Sequence, residues 1–165
     1  PTNNHVELFH AIRDQVDLTN RKVIVPLSYG DSDYRTKVMA LGEQLLGESF
    51  SPLTTFMPKD QYLAIVRSCG FIIMNHVRQQ ALGNICMALL MGGRVFLNKY
   101  SPLSEWLISR GAVIGNIDSL KLVPLTATDQ EINRKFIFSH WSRNQQRKKT
   151  EELIKAVICF NKNSE

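Results

Sequence analysis

The 165-residue sequence contains no run of eighteen or more apolar residues, and its polar N-terminus carries no apolar leader core. The reading is therefore of a cytoplasmic chain, without a membrane-crossing helix or a secretory signal. Cysteine is scarce. Cys69, Cys86 and Cys159 are odd in number, far apart and set in apolar stretches, which points to reduced core thiols and away from a disulfide framework or a zinc site. The histidines His5, His10, His76 and His140 are equally scattered, with no two at the i, i+4 spacing that aims a helix face at one metal. No metal and no cofactor is expected. The Walker A motif, the GxGxxG fingerprint and the GxSxG elbow are all missing, so neither a P-loop, nor the usual dinucleotide turn, nor a hydrolase nucleophile is present. Asp31, Asp33 and Glu105 read as surface or capping residues, and no carboxylate pair can be placed across a cleft.

Charge is unevenly distributed. From Gln130 onward there are eight Lys or Arg and four Asp or Glu, which accounts for most of the net charge of +5. The cluster Arg143, Arg147, Lys148 and Lys149 suits phosphates or an anionic membrane surface, and equally suits a solvated helix face.

The 44% hydrophobic content is enough for one packed domain over residues 1–165. Short β-branched or apolar runs at 21–27, 50–55, 71–75, 94–98 and 112–115 alternate with helical periodicity. Asn3 or Asn4 is placed to cap a first helix carrying Val6, Phe9, Ile12 and Val16. A helix from about Tyr34 ends at Gly47, and one begun at Pro58 ends at Gly70. Another follows residues 75–84 as far as Met91, and one begun at Ser101-Pro102 ends at Gly111. Two helices, about 128–140 and 144–160, close the chain. Strands that are apolar throughout, separated by helices, predict an α/β fold with a Rossmann-like, doubly wound parallel sheet flanked by helices. Such a fold normally opens on a strand, whereas this sequence opens on a helix cap. The first strand is therefore expected to be missing and the chain to be a fragment of a longer protein.

Two loops attract attention because ligands of open parallel sheets bind beyond the carboxyl ends of the strands. In NHVRQQALGN, residues 75–84, Arg78 offers a fork of donors for phosphate, Gln79 and Gln80 add neutral donors, and Gly83 permits close backbone approach. A plain role in capping and solvating a helix end, with Gly83 relieving packing, accounts for the same residues. In PLSYGDSDY, residues 26–34, Tyr29 can stack on a base or ribose, and Ser28 with the Gly30 backbone can bond a phosphate or base edge. A turn built on Gly30 and Asp31 is the alternative.

The string RQQALGNICMALLMGGRVFLN, residues 78–98, resembles the TDP-N-acetylfucosamine:lipid II N-acetylfucosaminyltransferases, glycosyltransferase family 56. Those proteins carry Arg-Gln-Gln-x-x-Gly, an apolar helix and a strand ending in Leu-Asn. The resemblance extends to Val25-Pro26 with Tyr29, to Tyr62, Leu63 and Arg67, and to Asn4-His5; some members have Gly where this chain has Ala81. It implies a GT-B fold, two Rossmann-like domains across a cleft, of which this chain would be the C-terminal, donor-binding half. By that resemblance, Arg78, Gln79, Gln80, Gly83 and Asn84 would hold the diphosphate of a TDP-sugar, and Tyr29 would lie near the nucleoside. The acceptor would be a lipid-linked saccharide in bacterial surface polysaccharide synthesis, reached at the inner face of the inner membrane by peripheral contact. The missing N-terminal domain would be a further partner and would supply any catalytic base. A non-enzymatic α/β module that binds a partner or nucleic acid through the basic tail is the alternative.

Overall fold

Five parallel strands and seven α-helices are built from residues 3–162, which the computed structural model describes. In chain order they are α1 (His5–Gln15), β1 (Val23–Pro26), α2 (Ser32–Leu46), β2 (Phe50–Leu53), α3 (Lys59–Ser68), β3 (Phe71–Met74), α4 (Leu82–Leu90), β4 (Arg94–Leu97), α5 (Pro102–Ser109), β5 (Gly115–Asn116), α6 (Ala127–Trp141) and α7 (Arg143–Lys162). Every pairing is parallel, and the strands form two small sheets, β1-β2 and β3-β4-β5. The fold is the expected Rossmann-like α/β arrangement.

Strands without polar alternation need apolar cover on both faces, and β3 and β4 have apolar neighbours on each. Phe71, Ile73 and Phe96 pack with Leu8, Phe9 and Ile12 of α1 and with Val38 of α2. The alternate residues Ile72, Met74, Val95 and Leu97 pack with Ile85 and Leu89 of α4, Leu103 and Leu107 of α5, and Phe136 and Ile137 of α6. Asp31 caps α2 by accepting from the Tyr34 N–H at 2.7 Å, and Thr126 caps α6 by accepting from Asp129 N–H at 3.1 Å.

The last strand departs from expectation. Residues 112–115 read as a strand, yet only Gly115 and Asn116 pair with β4. Ala112 N–H is bonded to Leu107 C=O at 3.0 Å. Val113 gives its N–H to Asn133 Oδ1 at 2.7 Å and takes Asn133 Nδ2–H on its carbonyl at 2.9 Å. A fully buried amide on α6 thus uses the backbone groups that a sheet ladder would need.

A second correction concerns Cys159. Its apolar surroundings in sequence suggested a core thiol, but it is exposed on α7, whose Leu153, Ile154, Val157 and Ile158 are exposed as well. No helix among the described residues is long and apolar enough to cross a membrane.

Candidate functional site

The carboxyl ends of β1 and β3 open into one cavity of about 1160 Å³. Its mouth is where the two loops singled out in the sequence meet. Ser28 and Tyr29 follow β1, while Gln80, Ala81 and Asn84 lead into and begin α4; all five line the cavity. Arg78 and Gln79 are exposed on the second loop, Gly30 on the first, and Gly83 in the first turn of α4, all outside the cavity wall. Open space surrounds the position a Gly83 side chain would take, so this glycine relieves no packing and leaves the helix start accessible.

The turn into α4 is tight. Ala81 sits at its N-cap with φ 52°, a left-handed conformation unusual for a residue with a Cβ, and supplies no side-chain cap. Its carbonyl starts the helix by accepting from Ile85 N–H at 3.1 Å. The first N–H groups of such a helix lack intrahelical partners and face a ligand that approaches along the axis.

Several residues that sequence reasoning left aside complete the mouth. Asn75, buried just after β3, is the hub of an amide network. Its carbonyl accepts from Asn4 Nδ2 at 3.1 Å, its Nδ2 donates to Asn4 C=O at 3.4 Å and to Glu7 Oε2 at 3.3 Å, and its Oδ1 accepts from Asn98 Nδ2 at 2.7 Å. The network fixes the start of α1 against the ends of β3 and β4. Asn4 therefore stands at the predicted N-cap but spends its side chain on Asn75, with no cap hydrogen bond. His5 pairs with the Tyr34 hydroxyl at 3.1 Å. Burial, and then the neighbouring His76, push the His5 imidazole down to about 4. Burial also lowers His76, partly opposed by its bond to the Gln80 backbone. Both rings are neutral at neutral pH.

Tyr62 of α3 reaches across to Asn84; burial raises its phenol pKa, and that hydrogen bond opposes the shift. Tyr29 and Phe56 are 84% and 89% exposed and both line the cavity. Two accessible aromatic faces stand on the same edge, which is what stacking on a base requires. Lys59, at the start of α3, adds a cation to the lining, and among the described residues no Asp or Glu lines the cavity. The only sequence signal for Lys59 was its place after Pro58 at a helix start on the ligand edge.

The mouth offers neutral amide donors, a helix N-terminus, aromatic faces and cations, a set of groups whose chemistry suits an anionic group attached to a ring. Burial pushes the Cys86 thiol up to about 11 and raises Cys69, so neither is an activated nucleophile. Among the described residues no three His, Cys, Asp or Glu side chains gather closely enough to hold a metal ion.

No solved structure matches the chain. Residues 1–132, which include every element from α1 to β5 and the whole of the mouth, match the family model described as 4-alpha-L-fucosyltransferase, glycosyl transferase group 56, and the chain belongs to that glycosyltransferase family.

Proposed function

We propose that the mouth between β1 and β3 binds the nucleotide diphosphate of a TDP-sugar, as the donor half of a transferase that passes a deoxyamino sugar to a lipid-linked saccharide. The observation that carries this reading is the meeting of the Ser28–Tyr29 loop and the Gln80–Asn84 turn at one cavity mouth, beside the start of α4.

In such a transfer the bond from the sugar's anomeric carbon to the diphosphate oxygen breaks, and a bond to an acceptor hydroxyl forms. Negative charge grows on the departing diphosphate. Arg78, the α4 N-terminus with Gly83 and Asn84, and the donors of Gln79 and Gln80 offset that charge, and Lys59 adds to the field. Tyr29 covers the nucleoside, with Ser28 and the Gly30 backbone bonding its polar edge. In this reading the base that takes the acceptor's proton belongs to the other half of the enzyme. Acceptor and membrane contact at the inner face of a bacterial inner membrane belong to the same reading.

A thermal-shift assay with TDP, UDP and duplex DNA tests it. A rise in melting temperature with TDP that exceeds that with UDP supports the donor assignment. Salt-dependent stabilisation by DNA with no response to either nucleotide would instead place the basic α7 at the centre of a nucleic-acid module.

A further inference from the structure

Two histidine rings, His5 at the start of α1 and His76 just after β3, line the cavity together with Gln80, Ala81 and Asn84. Both are held in place. His5 Nδ1 pairs with the Tyr34 hydroxyl at 3.1 Å, and its ring centre lies 6.0 Å from that of Phe9 and 5.8 Å from that of Tyr34. His76 follows Asn75, whose amide network pins the end of β3, and one of its ring nitrogens is bonded to the Gln80 backbone. Among the described residues, no hydrogen bond engages its second nitrogen.

The charges around these rings are one-sided. His76 is close enough to His5 for a proton on one to disfavour a proton on the other, and the α-amino group adds to the field at His5. Lys59 of α3 lines the same cavity, and Arg78 lies two residues beyond His76 on its own loop. Tyr29 and Tyr62 in the lining and Tyr34 beside His5 are phenols. Arg21, Lys22 and Cys69 line the other end of the cavity, before β1 and β3. Among the described residues no Asp or Glu lines it, and Glu7 of α1 accepts from Asn75 Nδ2 at 3.3 Å. Only the Gln80 backbone contact favours a charged His76, against the larger effect of burial. A diphosphate alters that balance, because an anion next to an imidazole favours its charged form.

We propose that His76 is a ligand of the donor diphosphate, taking a proton from solvent as the nucleotide binds and donating it in a hydrogen bond to a diphosphate oxygen while His5 stays neutral. The inference rests on the donor reading of the mouth. The proton goes to the second ring nitrogen of His76, no bond to the sugar is involved, and the proton returns to solvent when the nucleoside diphosphate leaves. The cation thus arises where charge grows on the departing group. It adds to Arg78 and the α4 N-terminus without leaving an unpaired half-buried charge in the nucleotide-free protein.

The sign of the pH dependence follows. Burial holds the free His76 ring below the ordinary 6.5, and the bound anion lifts it above that value. Between the two the complex holds one more proton than the free chain, so donor affinity rises as pH falls through the window and levels off below it.

NMR of the four histidine rings, assigned through the backbone and followed from about pH 8 to about pH 5 with and without saturating TDP, tests this in the parent chain. His76 is expected to titrate below 6.5 alone and above it with TDP. His5 stays neutral throughout, and His10 and His140, which lie outside the cavity wall, do not move. His76→Asn, which keeps an amide donor but cannot charge, binds TDP roughly tenfold more weakly at about pH 6, and the gap closes toward about pH 8. The inference is overturned if TDP leaves the His76 titration in place or if His5 takes the proton instead; shifts of the Ser28, Tyr29 and Asn84 amides with TDP would then preserve the donor reading. Equal pH dependence of TDP affinity in parent and variant would also overturn it, assigning the effect to the terminal phosphate of TDP, which titrates at about 6. If TDP shifts no resonance of the mouth, the donor reading fails and this inference fails with it.

Discussion

Asn98 donates to the side-chain oxygen of Asn75 at 2.7 Å, linking the ends of β3 and β4 through two amides that are 23 residues apart in sequence. Because Asn75 also holds Asn4 and touches Glu7, it sets the position of α1 relative to the sheet. Replacing Asn75 with Ala removes the acceptor of the half-buried Asn98 amide and the donor to the Asn4 carbonyl, while the Asn4 amide keeps the backbone carbonyl of residue 75, and the expected loss is roughly 1–3 kcal/mol. Asn75→Asp places a carboxylate beside Glu7 and also destabilises the fold. Urea unfolding of the two variants checks both; unchanged midpoints would show that the network contributes nothing.

Ala81 pays for its left-handed turn. A residue with a Cβ at φ 52° carries a conformational cost of about 1–2 kcal/mol that glycine avoids, partly offset by glycine's greater freedom when unfolded. Ala81→Gly is expected to stabilise the chain by a few tenths to about 1 kcal/mol. A higher melting temperature for the variant checks this, and a lower one would contradict it.

Gly115 faces the ring of Phe96 so closely that a Cβ at this position would collide with it. Phe96 is 1% exposed and has nowhere to move. Gly115→Ala should cost about 1–3 kcal/mol by overpacking, measured as a drop in the urea midpoint. An Ala variant as stable as the parent would mean that the Phe96 ring yields.

His5 makes stability depend on pH. Its folded pKa of about 4 lies below the ordinary 6.5, so between these values the unfolded chain binds the extra proton. Stability contributed by the neutral ring is complete above pH 6.5 and is lost as pH falls toward 4. His5→Asn should flatten the change in melting temperature across that window, leaving the smaller contribution of His76. An identical slope in parent and variant would assign the pH dependence elsewhere.

Much of this architecture was legible in the sequence, and the misses share a cause. Apolar runs such as Phe71–Met74 and the glycine and proline stops placed four strands and the helices to within a few residues, because those signals are local. The error at residues 112–115 came from Asn133, whose amide claims the Val113 backbone from 20 residues away. The Asn75 hub was hidden in the same way, with partners 71 and 23 residues distant. Of the candidate site residues, Ser28, Tyr29, Gln80 and Asn84 line the mouth. Tyr62, named in the sequence only through the family resemblance and given no role there, bonds to Asn84. The left-handed turn at Ala81 had no signal in the residue itself, only in the Gly that some members of the resembling family carry there.

The central claim is that the mouth grips a donor diphosphate, with Arg78 as its main ligand. Calorimetric titration of TDP into the 165-residue chain and into Arg78→Ala tests it most directly. The account predicts a measurable TDP affinity that falls by about 1.5–3 kcal/mol in the variant, the range for hydrogen bonds to charged groups, or roughly tenfold to a hundredfold in Kd. Equal TDP affinity in the two proteins would contradict the assignment of Arg78, and absence of TDP binding to the parent would contradict the donor site itself.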